Sequence, residues 1–273
     1  MVTSTLVLVI CLALLFDYTN GFHDAANSIA TIVSTKVLTP FQAVLWAAAF
    51  NFLVFFFVKE HNVAKTVSKI VNEHFVTLHV LLAGLIAAIS WNLITWWFGI
   101  PSSSSHTLIG GFAGAGITNA LYMGASGVTA INLKLVLTTI AYIVLAPLIG
   151  LIIGYIVTIV VLHLSKGARP ATADKWFKRM QLLSSAALSY AHGGNDAQKV
   201  MGIIYVALIA AKVIGAGSTM PEWIPLACYS AIALGTLSGG WKIVKTMGSR
   251  ITKITPLEGV SAESAGAITL FFT

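Results

Sequence analysis

The sequence predicts an all-α polytopic membrane protein, built as inverted-topology repeats with broken helices and re-entrant helical hairpins. Three observations lead there. Hydrophobic residues make up 57% of the 273-residue chain and charged residues only 9%, whereas soluble domains carry about a quarter charged. The apolar residues fall in runs long enough to cross a bilayer. One polar string, His192-Gly193-Gly194-Asn195-Asp196-Ala197-Gln198-Lys199, lies inside such a run and has a counterpart in Asn20-Gly21-Phe22-His23-Asp24-Ala25-Ala26-Asn27. An offset of 172 residues puts Gly21 on Gly193, Asp24 on Asp196, Asn27 on Lys199 and, upstream, Tyr18 on Tyr190.

The first apolar run spans Val2 to about Val33. As one helix it would be about 48 Å long, against a hydrocarbon core of about 30 Å. A break near Asn20-Gly21 would resolve the mismatch and place the polar string at mid-depth. No Lys or Arg precedes Leu6–Phe16, so this run reads as a retained membrane helix and not a cleaved signal peptide. Phe41–Val58 is a plain span, and the polar loop Lys59–His74 follows. Phe75 to about Tyr122 is apolar on either side of Gly99-Ile100-Pro101-Ser102-Ser103-Ser104-Ser105-His106-Thr107. Leu133–Leu164 is a long span. Met180–Val213 is again overlong and again interrupted, at His192–Asp196. Trp223–Gly240 is a further span, Trp241–Lys253 a basic loop, and Leu257–Thr273 a last apolar run.

Charge orients these elements. The net formal charge of +7 is carried by loops, which speaks for membrane topology and against nucleic-acid binding. The linkers 165–179 and 241–253 are strongly basic, so the positive-inside rule makes both cytoplasmic. Counting back, the loop Lys59–His74 lies outside, and residues 75–122 enter and leave from the outside as a re-entrant hairpin with its tip at Pro101–His106. The two polar strings then sit on helices of opposite direction. Residues 1–165 form the first inverted repeat, 166–179 a cytoplasmic linker and 180–273 the second repeat. Cys11 and Cys228 lie in apolar runs and suggest neither a disulfide framework nor a metal cluster.

An ionisable group at bilayer depth costs about 2.5–3.5 kcal/mol on insertion scales, so Asp24 and Asp196 are functional candidates. The competing reading, a helix–helix hydrogen bond, would have to explain two symmetry-related copies beside glycines. Helix unwound at Gly21 and Gly193 frees carbonyls, which with Asp24, Asp196 and the amide of Asn27 make a hard-oxygen cage suited to Na⁺. The serines supply the other sign. Pro101 and Ser102–Ser105 read as a helix start, whose free N–H groups and hydroxyls (Ser103, Ser104, Ser105, Thr107) favour an anion. Serine runs also cap helices without binding anything. The amides of Asn195 and Gln198 both donate and accept, so either ion suits them; they are grouped here with the anion. Lys199 would counter the anion's charge or pair with a carboxylate as part of a gate; His106, with His23 and His192, would shuttle protons or serve structure.

These three motifs, in this order, resemble the inorganic phosphate transporter (PiT) family. The second string is similar to that family's signature, and Gly99-Ile100-Pro101 with its serines resembles its hairpin tip. His23 departs from the usual Asn. The resemblance implies a plasma- or inner-membrane symporter, not an enzyme, that imports inorganic phosphate with sodium ions by alternating access and without an organic cofactor. Proton coupling, or another oxyanion such as sulfate, is the alternative. An intramembrane serine hydrolase is more remote, since no Gly-x-Ser-x-Gly elbow surrounds the serines. A passive channel fits inverted broken helices poorly, and an ATP-driven pump lacks a Walker string. The partners implied are phosphate, sodium, the lipid bilayer and, optionally, a second copy of the chain. The family's second half carries another Gly-x-Pro tip beyond the position where Thr273 ends this sequence, so a further C-terminal segment or second chain is expected to complete the second hairpin.

Overall fold

A computed structural model describes residues 3–58, 69–215, 217–251 and 253–272. The expected outside loop falls largely at 59–68, outside the described residues. The described residues are almost wholly helical and contain no strand, in the chain order α1 (Ser4–Ser34), α2 (Pro40–Phe57), α3 (Leu78–Phe98), α4 (Ser104–Tyr122), α5 (Leu133–Ser165), α6 (Pro170–Ala210), α7 (Trp223–Ser238), α8 (Trp241–Lys245) and α9 (Pro256–Phe272). Ser4–Ser34, Pro40–Phe57, Leu78–Phe98 and Leu133–Ser165 are long and apolar enough to cross a membrane.

Local chemistry sets the helix ends. Thr3 caps α1 by accepting from Leu6 N at 3.2 Å. Thr39 and Gln42 form a reciprocal capping box behind Pro40. Thr77, Ser103 and Asn132 cap α3, α4 and α5 in the same way. Gly99, at φ +67°, closes α3 in a left-handed conformation that a residue with a Cβ enters only at a cost.

Helix α1 is the hub, touching α2, α3, α6, α7, α8 and α9. One apolar core gathers Leu6, Phe16, Leu85, Leu108, Met201, Ile204 and Tyr229 around its first half, and a second gathers Ile29, Ile32, Val44 and Ile243 around its last turns. Helices α3 and α4 fold back on each other, so close that a Cβ on Gly111 would stand 2.7 Å from Gly84 O. Their far ends are tied together where Asn72 N donates to Ala130 O (2.8 Å) and Asn132 N to Ile70 O (3.0 Å). The two outer ends of this helical hairpin are therefore held together. Helix α5 leans on α9 and buries none of its own residues.

The helices break elsewhere than expected. α1 runs unbroken through Gly21, and α6, 41 residues long, runs unbroken through Gly193-Gly194. These glycines serve close approach: a Cβ on Gly21 would stand 2.3 Å from Ile232 O, and one on Gly193 2.7 Å from Asn51 Oδ1. Crossing helices need small residues where their backbones meet, and that need leaves the hydrogen-bond ladder intact. The interruption sits instead at Gly239-Gly240, between α7 and α8. Gly239 has φ +64°, and Gly240 lies so close to Phe22 O that a Cβ would come within 2.3 Å.

Two linkers are also more ordered than expected. Pro170 starts α6, so residues 170–179 of the basic linker are exposed helix, with an i,i+4 pair between Lys178 and Asp174 at 2.8 Å. The basic stretch 241–253 is helical as far as Ile251, continuing from α8 as a π-turn (Thr246–Ile251). It is held to α1 where Ser34 Oγ donates to Gly248 O at 2.8 Å.

Candidate functional site

The two polar strings meet. Asp24 from α1 and Asp196 from α6 are both buried, and His192 stands between them, its Nε2 3.9 Å from Asp24 Oδ2 and 3.3 Å from Asp196 Oδ2. Ligand atoms of Asp24, His192 and Asp196 all lie within 4.8 Å of one another, a spacing that one cation could bridge. The reason is helical register. His192, Asp196 and Lys199 fall at i, i+4 and i+7 on one face of α6, and the glycine contacts with α2 and α7 pull that face and Asp24 into one crossing.

The remaining contacts come from the hairpin. His23 Nδ1 lies 3.0 Å from Asp24 Oδ1, and its Nε2 3.0 Å from Thr95 Oγ1 at the end of α3. Ser102 Oγ donates to the same Thr95 hydroxyl at 3.2 Å. Lys199 Nζ donates to Asp196 Oδ1 at 2.6 Å and also to Ser105 Oγ in the first turn of α4. A buried carboxylate pair, an ammonium and a helix N-terminus thus occupy one small region. Such a region carries both signs of charge where a cation and an anion can be held together.

The expected site residues separate into those the fold assembles here and those it places elsewhere. Asp24, Asp196, Lys199 and Ser105 are in mutual reach through the contacts above. Ser104 is buried beside them, its hydroxyl without a partner among the described residues. Ser103 is spent as the cap of α4, accepting from His106 N at 3.3 Å, and Thr107 Oγ1 donates back to Ser103 O at 3.0 Å. Ser103, His106 and Thr107 line a pocket with Ala87, Trp91 and Gly110, and His106 also lies near Lys199. Asn195 points to α9, donating to Leu270 O at 3.2 Å, and Gln198 lies beside Tyr229 of α7. On a continuous α6, Asn195 borders the face of 192, 196 and 199 but spends its amide on α9, whereas Gln198 lies away from that face. Gly21 and Gly193 sit at helix crossings with helical carbonyls, and Asn27 is exposed.

Several polar residues around the site were not foreseen. Thr95 joins His23 to Ser102, and Asn51 of α2 donates to Thr236 Oγ1 at 2.9 Å beneath Gly193. Asp17 is fully buried, with the Cys228 thiol of α7 beside it. Its seven-residue spacing from Asp24 puts both on one helical face, a signal the sequence does contain. A second polar knot lies on α9, where Glu263 accepts from Thr31 (2.5 Å), Gln181 (3.0 Å) and Ser184 (2.6 Å).

Known proteins resemble this chain along almost its whole length. A model of the phosphate transporter family matches residues 20–170 and 162–273, which include both strings and the serine tip. The chain belongs to the phosphate transporter family. It is therefore grouped with multi-pass membrane transporters and not with enzymes, which removes the serine-hydrolase alternative. Within this family it is 49% identical over 266 residues to a "Probable low-affinity inorganic phosphate transporter" of Rhizobium meliloti (strain 1021), an alignment covering 97% of this chain and 78% of that protein. A protein of Bacillus subtilis (strain 168) with the same description is 46% identical over 270 residues, covering 98% of this chain and 78% of that protein. The "Low-affinity inorganic phosphate transporter PitA" of Escherichia coli (strain K12) is 34% identical, covering 77% of this chain and 47% of the relative. A solved structure described as "The sodium-dependent phosphate transporter" shares the fold, with a TM-score of 0.84 at 24% identity, over 99% of this chain and 84% of that one.

Proposed function

We propose that this chain carries inorganic phosphate inward across the plasma or inner membrane together with a cation, sodium foremost, by alternating access of two inverted repeats. The observation that carries the reading is the chain of contacts from Asp24 through His192, Asp196 and Lys199 to Ser105 in the first turn of α4. Phosphate would sit at that helix N-terminus, taking N–H groups, the Ser104 and Ser105 hydroxyls and the Lys199 ammonium. The cation would sit against Asp24, where a carboxylate is buried without a lysine or arginine partner among the described residues. Sodium is supported by the description of the fold neighbour. The basic stretches 165–179 and 241–253 would face the cytoplasm.

A second reading has its own observation. His23 and His192 both touch Asp24, and imidazole is a proton carrier and a poor sodium ligand, so protons could be the coupling ion. Phosphate uptake into proteoliposomes, with Na⁺ and pH gradients imposed separately, decides between them. A Na⁺ gradient alone is expected to drive accumulation, and Asp24→Asn to abolish that response in a protein that still folds. Uptake driven only by a pH gradient would transfer the coupling to protons. Uptake indifferent to both gradients would overturn cation coupling.

A further inference from the structure

We propose that Lys199 is a built-in cation, occupying at the Asp196 copy of the motif the position that a transported cation takes at the Asp24 copy. The inference rests on the cation-coupled reading above and specifies how the two halves divide that work. At equivalent positions of the two strings, the residue three places after the aspartate is Asn27 in the first and Lys199 in the second. Asn27 is neutral. Lys199 brings a full charge, and an i,i+3 spacing puts it on the same helical face as Asp196.

The geometry follows the sequence. Asp196 is 3% exposed, and a carboxylate so buried needs a counter-charge. Lys199 Nζ supplies it at 2.6 Å from Oδ1. The same ammonium donates to Ser105 Oγ, so it lies between the carboxylate and the helix N-terminus that would cradle the anion. A cotransported cation would have to occupy that place in order to touch both. An ammonium is a compact point charge with three donors, so bonds to Asp196 and Ser105 leave one for an anion.

Asp24 is dressed differently. Its neighbours are His23 at 3.0 Å and His192 at 3.9 Å, and among the described residues no lysine or arginine pairs with it. The other ionisable groups near Asp196 are Asp17 on α1 and His192 on its own helix, with His106 of α4 near Lys199. Lys199 is the cation in direct contact. The first copy thus keeps a cation position to be filled and emptied in each cycle, while the second holds its charge covalently. The protein would then move one cation fewer per phosphate than a carrier with a neutral residue at 199.

Linkage counts the cations. The slope of log phosphate affinity against log Na⁺ concentration gives the number taken up with the anion. Binding of radiolabelled phosphate to the purified full chain would be measured across a Na⁺ series at fixed pH for wild type, Lys199→Asn and Lys199→Arg. In Lys199→Asn the slope is expected to rise by about one, with phosphate affinity weakened at low Na⁺ and recovered at high Na⁺. Lys199→Arg, which keeps the charge, should retain the wild-type slope. An unchanged slope in Lys199→Asn would overturn the proposal. So would complete loss of phosphate binding at every Na⁺ concentration in folded protein, since Lys199 would then be a ligand of the anion alone. A wild type without any Na⁺ slope would defeat the sodium reading separately, and the expected increment would then appear as a new Na⁺ dependence in the variant. A measurement without phosphate guards against an inactive variant: Na⁺ should raise the melting temperature of Lys199→Asn more than that of wild type, and equal shifts would count against the proposal.

Discussion

The crossing of α1 and α7 makes a demanding test, because it brings backbone to backbone with no side chain between. A Cβ on Gly235 would stand 2.1 Å from Tyr18 O and 3.0 Å from Phe22 N. Moving the carbonyl from 2.1 Å to the 3.4 Å at which ordinary contact begins requires about 1.3 Å of helix separation. Neither partner is a flexible side-chain end that could swing aside. Overpacking of this kind costs about 1–3 kcal/mol, enough to shift a packing equilibrium by roughly 5- to 150-fold. The displacement would also reach the site, since Phe22 N belongs to the turn that carries His23 and Asp24. Gly235→Ala is therefore expected to lower the melting temperature in detergent and to cut phosphate uptake in proteoliposomes by about 5-fold or more. Gly114→Ala is the control, because nothing lies within 4 Å of its added Cβ. There the gain in helix propensity of about 0.5–1 kcal/mol should leave stability equal or slightly higher. A Gly235→Ala protein with wild-type melting and uptake would refute the close-packing account of the site.

Three further outcomes follow from other parts of the molecule. Glu263→Ala should destabilise the protein, since Thr31, Gln181 and Ser184 lose their acceptor and each buried donor left unpaired costs about 1–3 kcal/mol; Glu263→Gln, which keeps one acceptor oxygen, should melt between that variant and wild type. Lys242 lies over the Trp97 ring at 4.0 Å and donates to Trp97 O at 3.2 Å, so Lys242→Met should speed amide exchange at the hairpin tip while changing global stability by less than about 1 kcal/mol; unchanged exchange there would dismiss the latch. With Cys11 and Cys228 replaced by alanine, single cysteines at Lys175 and Lys253 should react with an impermeant thiol reagent only from the cytoplasmic face, and one at Ser126 only from outside. Labelling of all three from one face would break the inverted topology.

The sequence by itself determined the class of molecule and most of its elements. Apolar runs of spanning length admit only helices, because lipid offers no partner to an exposed backbone group. The edges of the hairpin tip were legible as Gly99 and the Pro101–Ser105 helix start, since capping depends on residues within one turn. The duplicated string also announced Asp24 and Asp196 as a pair, because two buried carboxylates in equivalent places are too costly to be incidental. What only the tertiary structure decided was how each neighbouring residue is used. Gly21 and Gly193 could equally have unwound a helix or admitted a neighbour; Ile232 and Asn51, far away in sequence, settle that choice. On a continuous α6 the register turns Gln198 to α7 and leaves Lys199 between Asp196 and Ser105, while packing against α9 gives the amide of Asn195 to Leu270 O. The break itself, at Gly239-Gly240, follows from the approach of Phe22 O, a contact 218 residues away that no local pattern encodes.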